Sequence, residues 1–281
     1  MAVKVGLDIE FSFEHNGNQI PASNYLRFSD RFGTDGCSSI VEIRPFPSED
    51  PRYVINSLSR IMKMKIKRQP ELLRFEWIAG SIAGGKSIGG HIHFGSGRMP
   101  SGREVAYLDT FLATTVALTD DRDNLKSRQS AGYGMLGSYR QQPWGWEYRT
   151  LPSFITDKKF AEGVLILAQM IVDHCMEAPA TNEERTALQT VVLLEKEKLD
   201  YRMGELTLIK TKFMERVTFL KTFIKGVSDS REIGYMFRCV HRANVDGSFT
   251  IANKDFKQSW GIKKLAIMKY TLQEIWEMVV R

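Results

Sequence analysis

Cysteine is scarce: three in 281 residues, Cys37, Cys175 and Cys239, stand far apart with no C-x-x-C spacing. That excludes a disulfide framework and a thiolate zinc site, and makes a reducing cytoplasm the expected compartment. No apolar run approaches the roughly 18 residues that read as a membrane span. The opening MAVKVGLDIEF alternates polar and apolar residues where a secretory leader would run basic and then continuously apolar, so neither a leader nor a span is expected. A linker rich in Pro, Gly or Ser is missing, as are internal repeats. An excess of one charge is missing as well: 39 Lys and Arg stand against 33 Asp and Glu, a net +6. That is too even for a polybasic arm, so a nucleic-acid partner is not expected, whereas a small anionic substrate fits. The 43% apolar content is ample for a core.

What is there is alternation. From Val3 to Phe13 the odd positions are apolar, and the even ones include Asp8 and Glu10, the pattern of a half-buried strand. Asn16-Gly17 marks a tight turn. Further strands are expected at Ser38 to Arg44, Leu72 to Ala79, His91 to Phe94 and Trp146 to Leu151. Helices are expected at Asp50 to Lys67 and Arg103 to Leu118, with a loop carrying Arg122, Arg128 and Arg140. Beyond Lys158 the pattern turns helical: Phe160 to Val172, a capping box at Thr181-x-x-Glu184, and a last helix at Lys263 to Val279. One strand-like stretch, Ser248 to Ala252, interrupts it. Strands without regular βα alternation give an α+β class with an antiparallel-dominated sheet and helices packed on one face. Residues 1–155 would form a sheet-rich catalytic core and 156–281 a mostly helical part of the same domain.

Four strands share a device. Residues i and i+2 point the same way, so Asp8 with Glu10, Glu42 with Arg44, His91 with His93 and Glu147 with Arg149 each occupy a polar face. Carboxylates gathered in one place repel and take up protons, and hard divalent cations relieve that cost. Metals with arginines suit polyphosphate transfer without a Ser or Cys nucleophile. Such a cluster predicts that Glu10→Ala or Glu147→Ala stops turnover and spares the fold. Gly80 to Ser87 matches the P-loop pattern G-x-x-x-x-G-K-S, but Gly89, Gly90 and renewed alternation follow where a P-loop requires a helix. An H-x-H zinc site lacks further spaced ligands, which favours magnesium or manganese.

The ordered motifs GLDIEF (Gly6 to Phe11), D-x6-E-I-R-P (Asp35 to Pro45), GGHIHFG (Gly89 to Gly95), YGMLGSYR (Tyr133 to Arg140) and WEYRTLPS (Trp146 to Ser153) resemble the carboxylate–amine ligases of the glutamine synthetase and glutamate–cysteine ligase superfamily, in particular the small COOH–NH2 ligases of phage genomes. The resemblance implies a glutamine synthetase-like catalytic fold that binds ATP with two divalent cations. It further implies that Asp8, Glu10, Glu42, His91 and Glu147 are metal ligands, Asp8 standing where relatives often have glutamate. His91 and His93 would meet metal and nucleotide phosphate. Arg149, Arg140 and Glu147 would carry catalysis, with Arg44 and Arg128 as further phosphate contacts. Tyr133, Trp144 and Trp146 are candidates for an amine pocket. The implied reaction joins a carboxylate, free or borne by a peptide or protein, to an amine through an acyl-phosphate, in the host cytoplasm if the gene is a phage's. A guanidino-type phosphotransferase and a nucleic-acid-binding adaptor are the alternatives, and Lys86 is expected to be dispensable.

Overall fold

The computed structural model describes residues 2–36, 38–191 and 212–262. Its frame is an antiparallel sheet of nine strands. At the centre lies β1 (Lys4–His15), which sends Val5, Leu7, Ile9, Phe11 and Phe13 into the core. Asn16 and Gly17 both take positive φ, the mirror-image turn that suits strand twist, and β2 (Asn18–Ile20) folds back on β1. β3 (Phe32–Thr34) pairs with β4 (Ile40–Ile43), and β4 pairs with β1. Helix α1 (Pro51–Arg68) starts where the Asp50 carboxylate accepts from the Arg52 N–H and Pro51 supplies a preset φ. It buries Val54, Ile55, Leu58, Met62 and Ile66, each adding about 2 kcal/mol over exposure.

Next come β5 (Glu76–Ala79), a small separate hairpin of β6 (Ile82–Ala83) and β7 (Lys86–Ser87), and β8 (Gly90–Gly95), which lies along β1. The P-loop-like segment is thus a turn between short strands, and a strand follows it, not a helix. The run expected as one helix forms α2 (Gly102–Tyr107), a π stretch and α3 (Thr114–Ala117). The loop expected around Arg122 to Arg140 is a helix followed by a strand. Asp121 caps α4 (Arg122–Ser130) by accepting from the N–H groups of Asp123 and Asn124, and Arg140 sits on β9 (Tyr139–Gln142). Only Leu125 and Arg128 of α4 are buried, so no apolar period announced it. β10 (Gly145–Tyr148) joins β9 to β8.

In the second half, α5 (Lys158–Glu177) begins at the Asp157 cap. α6 (Asn182–Val191) starts with the expected Thr181–Glu184 contact. α7 (Phe213–Phe223) and α8 (Arg231–Val245) follow. α5 and α8 pack so closely that a Cβ on Gly163 would stand 2.6 Å from the Glu232 carbonyl oxygen. Ser248 to Ala252 is not a strand. The strand is β11 (Lys254–Asp255), which pairs with β5, because the Ile251 N–H is already held by the Thr119 carbonyl of the helical side. Leu72 lies in a 3-10 turn, Pro70–Arg74, and extension begins only at Glu76. The helix expected at Lys263 to Val279 lies outside the described residues. Apolar residues of both halves form one core on the helix-covered face of the sheet, from Val3 to Ile262. Among the described residues no helix is long and apolar enough to cross a membrane.

Candidate active site

The uncovered face of the sheet gathers the polar positions through strand register. Glu10 stands opposite Glu42 across β1 and β4, and Asp8 opposite His91 across β1 and β8. Glu147 stands opposite His93 across β10 and β8, and opposite Arg140 across β10 and β9. Directly opposed residues share a face, so the four polar faces are one face. A cleft of about 470 Å³ opens there. Asp8, Glu10, Asp35 and Glu42 supply its acids, and Lys86, Arg128, Arg140 and Arg149 its cations.

Glu10, Glu42 and His91 each offer a ligand atom, and the three atoms lie within 4.8 Å of one another. Burial, with Asp35 nearby, raises the Glu10 carboxyl to about 7, although the Gly89 N–H donates to it at 2.7 Å. Burial and then Asp8 raise Glu42 to about 8, against the pull of the paired Arg44 guanidinium. Burial and then Arg149 hold the His91 imidazole well below its ordinary value. Two carboxyls that retain protons near neutrality beside a neutral imidazole describe a site that gains by exchanging protons for a cation. Two oxygen donors and one nitrogen can hold a divalent cation. Gly89 leaves room here for two side chains: a Cβ would come within 2.9 Å of His91 Nε2 and Arg128 Nη2 and would displace them.

The other expected residues divide. Asp8 lies 3.2 Å from His93 Nε2 and is not among the three close ligands. Glu147 is wholly buried. One of its oxygens accepts from Arg140 Nε and Gln142 Nε2, both at 2.9 Å, and the other lies 3.2 Å from His91 Nδ1 and 3.3 Å from Arg149 Nε. That second oxygen lies beside His91 and Arg149 without hydrogen-bonding either. Arg128 is buried, donates to the Thr150 carbonyl at 2.8 Å and lines the cleft. Arg44 does not line it: its guanidinium donates to the Phe28, Asp30 and Thr34 carbonyls and pairs with Glu42. Tyr133 lines the cleft, and the Trp144 ring lies 4.8 Å from that of His93. Trp146 is core, stacked on Phe94. Sequence reasoning missed Asp35, Gln142 and the Gly89 N–H. Asp35 opens one of the motifs and was open to discovery, but the other two depend on register.

The profile of a family described as "Phage phiEco32-like COOH.NH2 ligase-type 2" matches residues 5–262. A search of curated protein sequences finds no significant match. Seven solved chains match in structure. One is a bifunctional glutathione synthetase from Pasteurella multocida, 13% identical, with a TM-score of 0.50 over 92% of this chain and 51% of that one. At that identity the likeness concerns the fold, and the present chain spans about half the length of its neighbour.

Proposed function

The chain belongs to the phage phiEco32-like COOH–NH2 ligase type 2 family, and from that premise we propose that it makes an amide through an acyl-phosphate formed in the cleft of Glu10, Glu42 and His91. It is a carbon–nitrogen ligase, an ATP-dependent joiner of a carboxylate to an amine. One observation carries the finer reading: acids with raised proton affinity and three arginines face one another across a single cleft.

The chemistry follows from that polarity. A substrate carboxylate oxygen attacks the γ-phosphorus of ATP, the bond to the β-phosphate oxygen breaks, and ADP leaves with the electron pair. The amine nitrogen then attacks the acyl carbon, phosphate departs, and the amine gives up a proton. Arg149 and Arg140 meet charge developing on the phosphoryl oxygens, and Arg128 holds the chain behind them. Glu10, Glu42 and His91 would hold a divalent cation, which supplies Lewis-acid neutralisation of the polyphosphate. A second cation would draw on Asp8, which lines the cleft and whose present partner is His93. Use of ATP suggests that the reaction runs in a cytoplasm.

Hydroxylamine tests the intermediate. With ATP, magnesium and a panel of acids, the protein should form a hydroxamate and release ADP in equal amounts. A stable N-phosphorylated product without hydroxamate would make it a phosphotransferase instead.

A further inference from the structure

β9 is the last strand of the sheet path, bonded to β10 alone. The Arg149 N–H donates to the Ser138 carbonyl at 2.9 Å, which marks those opposed residues as a hydrogen-bonded pair. Antiparallel pairs alternate between bonded and non-bonded. With Tyr148 opposite Tyr139 and Trp146 opposite Gln141, the N–H and C=O groups of Tyr139 and Gln141 therefore point away from β10. Among the described residues none bonds them, and Tyr139 to Gln141 are exposed. Natural edges of this kind are usually blunted by lysine, proline or a covering loop. Here the strand itself is Tyr-Arg-Gln-Gln.

The surroundings suit an extended chain. Tyr133, Met135, Tyr139 and Trp144 are among the large apolar side chains left exposed, at 56, 47, 42 and 41%. All four lie on β9 or within a few residues of it. Arg140 projects from β9 onto the site face, 55% exposed. Its Nε and Nη2 meet Glu147, and Arg149 stands one strand further in.

We propose that the carboxylate substrate is an acidic side chain of an extended peptide, which docks as an added strand on the free edge of β9 and turns that side chain toward Arg140. This rests on the ligase reading above and names its substrate class. A free amino acid has no use for four outward backbone groups, whereas a peptide strand satisfies them. Charge selects the acid: the cations nearest the edge are arginines, with planar donor sets that match a carboxylate. The peptide's Glu or Asp carboxylate would attack the γ-phosphorus, ADP would leave with the electron pair, and an amine would displace phosphate from the acyl carbon. The product is a peptide with an amide on its side chain.

The test uses wild-type protein and a blocked heptapeptide with one central glutamate between valines and threonines, together with versions N-methylated at each position in turn. Binding is read by fluorescence anisotropy, docking position by amide hydrogen exchange, and chemistry by hydroxamate formation with hydroxylamine. N-methylation should weaken binding about tenfold at alternate positions and little between them, the period of a strand, because each removes one edge hydrogen bond. Exchange should slow at Tyr139 and Gln141. Binding insensitive to N-methylation, or protection on another strand, overturns the proposal. Hydroxamate from free glutamate but none from the peptide also overturns it, while leaving the ligase reading intact. Peptide docking with the strand period, and no hydroxamate or ADP from any acid, would end the ligase reading and with it the peptide's role as substrate.

Discussion

His91 and Glu147 lie against each other: Nδ1 of the imidazole is 3.2 Å from an oxygen of a carboxylate with no solvent exposure, and the same histidine offers a ligand atom within 4.8 Å of those of Glu10 and Glu42. A carboxylate beside one ring nitrogen is the usual companion of a histidine that ligates a metal through the other.

Glu147→Gln should therefore act on both stability and chemistry. The acidic-cluster argument from sequence expects removal of this carboxylate to spare the fold. For Glu147 the contacts give a reason to expect the opposite, since Arg140 and Arg149 would lose the counter-charge they share. A loss of about 1 kcal/mol in denaturant unfolding is expected, because both arginines are partly exposed and water screens what they lose, with activity down about a hundredfold. An unchanged unfolding midpoint would show that the arginines do not depend on it.

Stability of the metal-free protein should depend on pH. Glu10 and Glu42, at about 7 and about 8, retain protons in the folded state that the unfolded chain has already released above its ordinary value of 4.5, so their contribution falls as pH rises to about 8. His91 works the other way, but only below its ordinary value of 6.5. Between about pH 6.5 and 8 the melting temperature should decline, and the double variant Glu10→Gln with Glu42→Gln should flatten the decline. Mn2+ should raise the melting temperature more at pH 8 than at pH 6.5, since fewer protons must be displaced. A flat profile in the wild-type protein would remove the coupled carboxyls from the site.

Arg44 offers a separate test, since it was expected at phosphate and is found bound to three carbonyls and Glu42. Arg44→Ala should speed amide exchange across residues 28–34 and weaken Mn2+ binding by about tenfold, through a less well oriented Glu42. The KM for ATP should change little. A large rise in KM with normal metal binding would restore the phosphate role.

Lys86 stands at the cleft on a two-stranded hairpin and not at a helix N-terminus. Lys86→Ala should cost less than about tenfold in kcat/KM, as expected of a charge at the rim of a site. Near-complete loss of activity would return Lys86 to the centre of nucleotide binding.

By itself the sequence determined the strands and their polar faces. Period two in Val3 to Phe13 requires Asp8 and Glu10 to share a side, and Asn16-Gly17 requires a tight turn, because these are constraints on neighbouring residues. The ligase motifs were legible for the same reason. Helix α4 was not, for its start depends on one aspartate and its apolar content on one leucine. Nor was the convergence of the four faces, since Glu10 meets Glu42, and Glu147 meets His93, only through pairings between segments tens of residues apart. A slip of one residue in any pairing would turn that strand's acids into the core. Tertiary structure also decided which charges serve as partners of which: Arg44 went to backbone carbonyls, Glu147 to the side of His91, and Glu10 and Glu42 were left facing each other. Burial then raised those two above their ordinary proton affinity, an effect of surroundings that no linear pattern carries.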